Sequence, residues 1–224
     1  ASRIACFLRR PSPRRVRDLV PAKLPDLFEG DQLVLLGQYL GEEPLHFRVS
    51  GNYLGQARTF QFQFGLDKAT TRNAFVPRLW ASRKIAVLVD AIRQLGAGGG
   101  PVPVGAPGAD PRLKELVDEI VRLSTEFGIL TEYTAFLATE GTDLTNRDEV
   151  LRQAKHNFVQ RAVGTRSGIG SVNQSYNYVR SIQQDSLNYR NEYFDQNMNR
   201  VAMTSVQQVG DRAFYSRGGR WVDS

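Results

Sequence analysis

The chain is poor in residues that staple a protein or bind a metal. It has one cysteine, Cys6, two histidines, His46 and His156, and two methionines among 224 residues. A lone thiol can neither close an internal disulfide nor build a thiolate metal cluster. Between Ala5 and Phe7 it suits a small buried hydrophobe, or a bridge to another chain in an oxidising compartment. Zinc needs three or four soft or imidazole ligands, more than two separated histidines supply, so no metal and no cofactor is expected. Long apolar runs are also missing. No stretch reaches the roughly 18 apolar residues of a membrane-spanning helix, so no transmembrane segment is expected. No basic, apolar and small-residue succession opens the chain, so no signal peptide is read; a mature or excised fragment would read the same way.

What remains is an ordinary globular composition, 41% hydrophobic and 23% charged, which excludes wholesale disorder and collagen-like repeats. The length suits one large or two small domains. Charge is unevenly placed. The formal net charge is +6, and residues 1–23 alone carry seven basic groups (Arg3, Arg9, Arg10, Arg14, Arg15, Arg17, Lys23) against Asp18. The other 201 residues balance at 22 basic and 22 acidic groups.

The periodicity changes along the chain. Residues 1–70 read as strands. Gln32–Leu40 is an apolar run between glycines; Leu45, Phe47 and Val49 alternate with polar residues, as do Phe60, Phe62 and Phe64. Period two with one apolar face predicts antiparallel strands, a β-sandwich or half of one, with 3–8 and 14–20 as further strands. Over 71–140 the period becomes helical. Phe75 to Leu95 and Leu113 to Phe127 form two amphipathic helices joined by a Gly/Pro linker at 96–109, with Asp110 as cap and Pro111 in the first turn. They predict a helical hairpin packed on the sheet. Residues 129–139 (ILTEYTAFLAT) predict a strand or extended segment. In 141–200 a third helix runs from about Asn146 to Val163 and is broken by Gly164, Gly168 and Gly170. A polar arm follows, in which ten of the 27 residues from Asn173 to Asn199 are Asn or Gln. The arm is either a polar helix or an extended strap. Residues 201–224 predict a small β-meander turning at Gly210-Asp211 and Gly218-Gly219. The fold class is therefore α+β.

Motifs that would carry catalysis fail on chemistry. The glycines of 96–109 lack the lysine and hydroxyl of a phosphate loop and are broken by prolines. Gly164–Gly170 is neither a dinucleotide fingerprint nor a nucleophile elbow. Asp195-Gln196-Asn197-Met198-Asn199 has the alternating oxygens of a calcium loop, but Arg200 stands where that loop needs glycine, and its closing glutamate is absent. Asp143, Asp148 and Glu149 suit helix capping better than a paired-carboxylate site. No catalytic residue and no small-molecule substrate is expected. The candidate interaction residues are Tyr176, Tyr178, Tyr189, Tyr193 and Phe194 in the arm, and Arg9, Arg10, Arg14 and Arg15 at the basic end. Tyrosine among amides suits a protein partner. In the arm, Asp185, Glu192 and Asp195 cancel Arg180, Arg190 and Arg200, which disfavours nucleic acid there. The competing reading is a nucleic-acid or polyanion-binding module using the basic N-terminal 23 residues.

Three strings occur in order: LPDLFEGDQLVLLGQY (24–39), FVPRLWASRKIAVLVDAIR (75–93) and LVDEIVRLSTEFGILTEYTAFLA (116–138). They resemble the region after the von Willebrand factor A (vWA) domain in VIT–vWA proteins, bacterial relatives of inter-alpha-trypsin inhibitor heavy chains. VQQVGDRAFYSRGGRWVDS (206–224) resembles the C-terminal signature of the bacterial members, while 141–200 matches loosely. The Asp-x-Ser-x-Ser signature of the vWA metal site is not in the chain, so that site is carried onto no residue here. The resemblance implies a non-enzymatic structural and protein-interaction module, extracytoplasmic (periplasmic, cell-surface or secreted). Its partner would be the vWA part of the same or a companion chain, or a second copy. Within the strings, Leu27, Phe28, Trp80, Tyr133 and Phe136 are expected as core anchors.

Overall fold

The computed structural model describes residues 3–9, 16–28, 30–95, 111–210 and 212–224, with the backbone alone for 3–9 and 68. Two compact units divide at Asn73 and Ala74. The architecture is α+β: four α-helices and several small, open antiparallel sheets among the described residues.

The first unit holds β1 (Arg3–Arg9), β2 (Val16–Val20), β3 (Leu27–Phe28), β4 (Leu36–Tyr39), β5 (Leu45–Tyr53) and β6 (Gln56–Phe64). Its larger sheet has the order β3-β1-β5-β6, and β2 pairs with β4 separately. The β5–β6 hairpin turns at Leu54 and Gly55, both at positive φ, the backbone that matches a two-residue turn to strand twist. The resulting register sets Leu45, Phe47 and Val49 opposite Phe64, Phe62 and Phe60, so the alternation does build one apolar face. Within Gln32–Leu40 only 36–39 is strand. A turn held by Asp31, whose carboxylate accepts the Phe28 N–H at 2.8 Å, takes up the chain before it, and the partner β2 is short and bulged between Arg17 and Val20. Phe28 is exposed and Leu27 half-buried, contrary to their expected role as anchors, because β3 is a two-residue edge strand.

In the second unit, α1 (Phe75–Leu95) and α2 (Pro111–Phe127) carry the expected stripes. Leu79, Trp80, Ile85, Ile92, Val117, Ile120 and Leu123 are buried. α1 packs against α2 and, further on, against α4 and residues 158–163. It is buried on several sides, Arg78, Ser82 and Arg83 included. The linker 96–109 and the cap Asp110 lie outside the described residues. α2 stops at Gly128, where φ is +62° and an added Cβ would lie 2.8 Å from Ala213 Cβ, so both backbone and space require glycine.

Residues 129–139 are not a strand. Thr134 Oγ1 accepts the Thr131 N–H at 3.0 Å, the Thr134 N–H returns to the Thr131 carbonyl, and a 3-10 turn follows at Ala135–Ala138. Threonine hydroxyls near the backbone favour such local turns over a ladder. Tyr133 is buried as expected and Phe136 half-buried.

Asn146 caps α3 (Arg147–Asn157) through the Glu149 N–H. The helix continues as a π-helical turn, Phe158–Val163, which ends at Gly164. Gly168, at φ +71°, opens α4 (Gly168–Ile182). Gly170 lies inside that helix and does not break it. The arm is thus helix up to Ile182 and irregular beyond it. A hairpin of β7 (Tyr193–Phe194) and β8 (Arg200–Val201) comes next. The expected meander is present as β9 (Val206–Val209), β10 (Arg212–Arg217) and β11 (Arg220–Asp223), in the order β11-β10-β9. It closes the C-terminus of α2. The Tyr215 hydroxyl donates to the Ser124 and Thr125 carbonyls at 3.1 and 3.2 Å, and Gln208 Nε2 to those of Phe127 and Gly128 at 3.1 and 2.9 Å.

Candidate functional site

The unusual element is α4. Its inward face is made of amides: Asn173 and Gln174 are buried and Asn177 half-buried. Its outward face is apolar. Ile169, Val172, Tyr176 and Val179, at helical spacing, are 58%, 58%, 47% and 44% exposed. A surface helix ordinarily does the reverse.

The amides face inward because a carboxylate awaits them. The Glu132 side chain is 1% exposed and paired with Arg161 of the π-helical turn. It also accepts from Asn173 Nδ2 at 2.8 Å and Asn177 Nδ2 at 3.0 Å. A buried charge survives only when paired and hydrogen-bonded in this way. Asn177 goes on to clamp the arm, accepting from the Phe194 N–H at 2.9 Å and donating to its carbonyl at 2.8 Å. Gln174 Nε2 donates to the Arg161 carbonyl at 3.0 Å. Arg161 also sits over the Tyr133 ring, which stacks on Phe158 at 4.6 Å. Burial, and then the charge of Glu132, push the Tyr133 phenol well above the ordinary tyrosine value, so it stays neutral.

Beside this network lies a cleft of about 280 Å³ between α1, residues 129–133, α4 and the segment 184–193. Ile85, Ala86 and Val89 give it an apolar wall, and Gln174, Tyr178 and Tyr193 a polar one. Burial raises the phenols of Tyr178 and Tyr193 as well.

The candidate residues divide into groups. Tyr176 meets Phe194 edge-on at 5.0 Å, and the Arg180 guanidinium covers the same Phe194 ring at 5.4 Å. Tyr176 and Arg180 are exposed and Phe194 is half-buried, and the three adjoin the outward row of α4. Tyr178 and Tyr193 turn to the cleft instead, and Tyr189 is 63% exposed. Arg9 lies in β1 opposite Arg48; Arg10, Arg14 and Arg15 fall outside the described residues. In the arm, Arg200 pairs with Glu192, in line with the expected charge cancellation.

The remaining motifs resolve into local structure. Asp195 Oδ1 accepts the N–H groups of Asn197 at 2.8 Å and Asn199 at 2.9 Å, so the oxygens of the would-be calcium loop make a turn. No cluster of three or more His, Cys, Asp or Glu suited to a metal occurs among the described residues. Asp143 accepts the Thr145 hydroxyl and N–H, which hold its carboxyl below the usual range. Glu149 pairs with Arg152. None of Asp143, Asp148 and Glu149 lines the cleft. No described helix is long and apolar enough to cross a membrane.

Sequence reasoning missed Glu132, Arg161, Asn173, Asn177 and Gln174 as one network. The amide bias of 173–199 was the available signal, but Glu132 is 41 residues from Asn173 and read as part of a strand or extended segment. Compared with family models, with curated proteins and with solved structures, the chain has no match.

Proposed function

We propose that the chain is a non-enzymatic protein-interaction module, the part that follows the vWA domain in an extracytoplasmic VIT–vWA protein. The observation that carries this reading is the inverted helix α4. Its row Ile169, Val172, Tyr176 and Val179, with Phe194 and Arg180 beside it, is apolar, aromatic and outward. Contiguous exposed apolar surface rimmed by polar groups is the mark of an interaction site, and Tyr with Arg is a composition enriched at the anchors of interfaces. The partner is the vWA part of the same protein or a second copy of this chain.

The four-stranded sheet of the first unit supports the same reading. Phe60, Phe62 and Phe64 on the edge strand β6 are 49%, 47% and 55% exposed, and they continue the half-buried row Leu45, Phe47 and Val49. Such a sheet is one layer of a sandwich whose second layer comes from a partner, because a half-exposed aromatic face gains by burial.

Residues 165–224 contribute Asn173, Ala213 and Tyr215 to the buried interior, so a truncation there would remove core along with surface. Point substitutions on the outer face of α4 leave the core alone. Light scattering of the chain, alone and mixed with the vWA part, is expected to show association, and Val172→Lys with Val179→Lys is expected to abolish it without changing the melting temperature. A monomeric chain that also ignores the vWA part would overturn the proposal.

A further inference from the structure

The geometry points to the cleft between α1 and α4 as a binding site for a short extended peptide segment with small apolar side chains. This deepens the interaction-module reading and rests on it.

Length and volume set the first limit. The α1 residues on the cleft run from Arg78 to Val89, about 16 Å along a helix axis, a distance that four or five residues of extended chain span. The volume of about 280 Å³ lies at the small end for ligand clefts, which restricts side chains to small ones.

Charge sets the second. Arg78, Arg180, Glu132 and Glu192 all line the cleft, two of each sign, so no net field selects an ion.

Hydrogen bonding sets the third. Asn177, Asn188 and Asn191 spend both ends of their amides on protein partners. Gln184 accepts from Ser82 through its Oε1 at 2.9 Å, and two further cleft amides each leave a buried acceptor without a partner. Gln174, 3% exposed, has its Nε2 fixed on the Arg161 carbonyl and leaves Oε1 without a partner. Gln208 has its Nε2 fixed on the Phe127 and Gly128 carbonyls and likewise leaves Oε1. Because each nitrogen is committed, both spare atoms are acceptors, and a buried acceptor without a donor costs free energy. An occupant suited to these two atoms brings donors from two sides, since one glutamine comes from α4 and the other from β9. Peptide N–H groups do this while side chains lie against Ile85, Ala86, Val89 and Leu130. The π-helical turn at Phe158–Val163, a distortion frequent at functional sites, supplies the carbonyl that orients Gln174.

The test uses the full chain labelled with ¹⁵N and ¹³C, and two probes: N-methylacetamide as the bare peptide group, and the capped tripeptide acetyl-Ala-Val-Ala-amide. Both are expected to shift the Gln174 and Gln208 side-chain signals and the Tyr178 and Tyr193 ring signals saturably, the tripeptide at lower concentration. Gln174→Leu is expected to weaken tripeptide binding about tenfold, the loss of one good hydrogen bond. Ser181→Phe, at the cleft edge of α4, keeps Gln174 intact and is expected to abolish binding by filling the groove, with an unchanged melting curve. Signals that move with neither probe, or binding unaltered in both variants, would overturn the inference. So would a crystal structure grown with the tripeptide in which water alone meets Gln174 Oε1. Val172 and Val179 lie on the opposite face of α4 from Gln174 and Ser181, so loss of association there and loss of binding here are separate results.

Discussion

At the scale of single residues, Glu132 decides the conformation of the second unit. Its carboxylate draws in Arg161, Asn173 and Asn177, and through Asn177 it fixes Phe194 and the arm. Removing it strands a guanidinium that is only 25% exposed and two inward amides. Glu132→Ala is therefore expected to destabilise the protein by about 2–4 kcal/mol, somewhat below the range for a fully buried pair because Arg161 keeps some solvent. Glu132→Leu combined with Arg161→Met is expected to cost less than the sum of the two single changes, since the stranded charge goes with its partner. Urea midpoints of Glu132→Ala, of the two single changes and of the double variant measure both effects. Equal and additive losses would mean that the pair is not coupled.

At the scale of elements, legibility in the sequence depended on how far apart the partners lie. The stripes of α1 and α2, the start of α3 near Asn146 and the C-terminal turns are written in neighbouring residues and were readable. The 3-10 turn near Thr131 and Thr134 was not, because threonine and aromatic residues carry strand propensity and only side-chain hydrogen bonds decide against it. The orientation of α4 was hidden for another reason. Periodicity tells which residues share a face, but the inward face is set by a carboxylate outside the helix. The Asp195 turn is the opposite case, a local device that looked like a metal loop. Backbone N–H groups, that of Asn199 foremost, hold the Asp195 carboxyl below its ordinary value, and a hydrogen bond from Arg200 does the same for Glu192. A carboxyl lowered by folding contributes stability that is present above its unfolded pKa, about 4, and lost as pH falls through the lower folded value. Between pH 7 and 5 the β7–β8 hairpin is therefore expected to hold, and below about pH 4 to loosen before the helices do. Amide signals of Asn197 and Asn199 followed through an acid titration check this. Loosening already near pH 6 would show that another group controls the turn.

At the scale of the whole molecule, the described side chains of the two units differ in how much they bury. Among the described residues, 28 hydrophobic side chains are buried, and Val20 and Leu24 alone belong to the first unit. The larger sheet of that unit presents the half-exposed Phe60, Phe62 and Phe64, whereas the second unit surrounds α1 and ties the meander to α2 through Tyr215 and Gln208. Burial of apolar surface is the main favourable term in folding, so stability should be concentrated in residues 74–224. That segment, expressed alone, is expected to keep a cooperative melting transition within a few degrees of the full chain's main one. Residues 1–73 alone are expected to show weak amide protection along β6, because backbone hydrogen bonds beside half-exposed side chains open readily. A protein that supplies the missing layer should raise that protection along β5 and β6 first, and hydrogen exchange read by mass spectrometry resolves those strands. Strong protection of 1–73 without any partner would mean that its sheet is already covered, and that the aromatic face of β6 is not a docking surface.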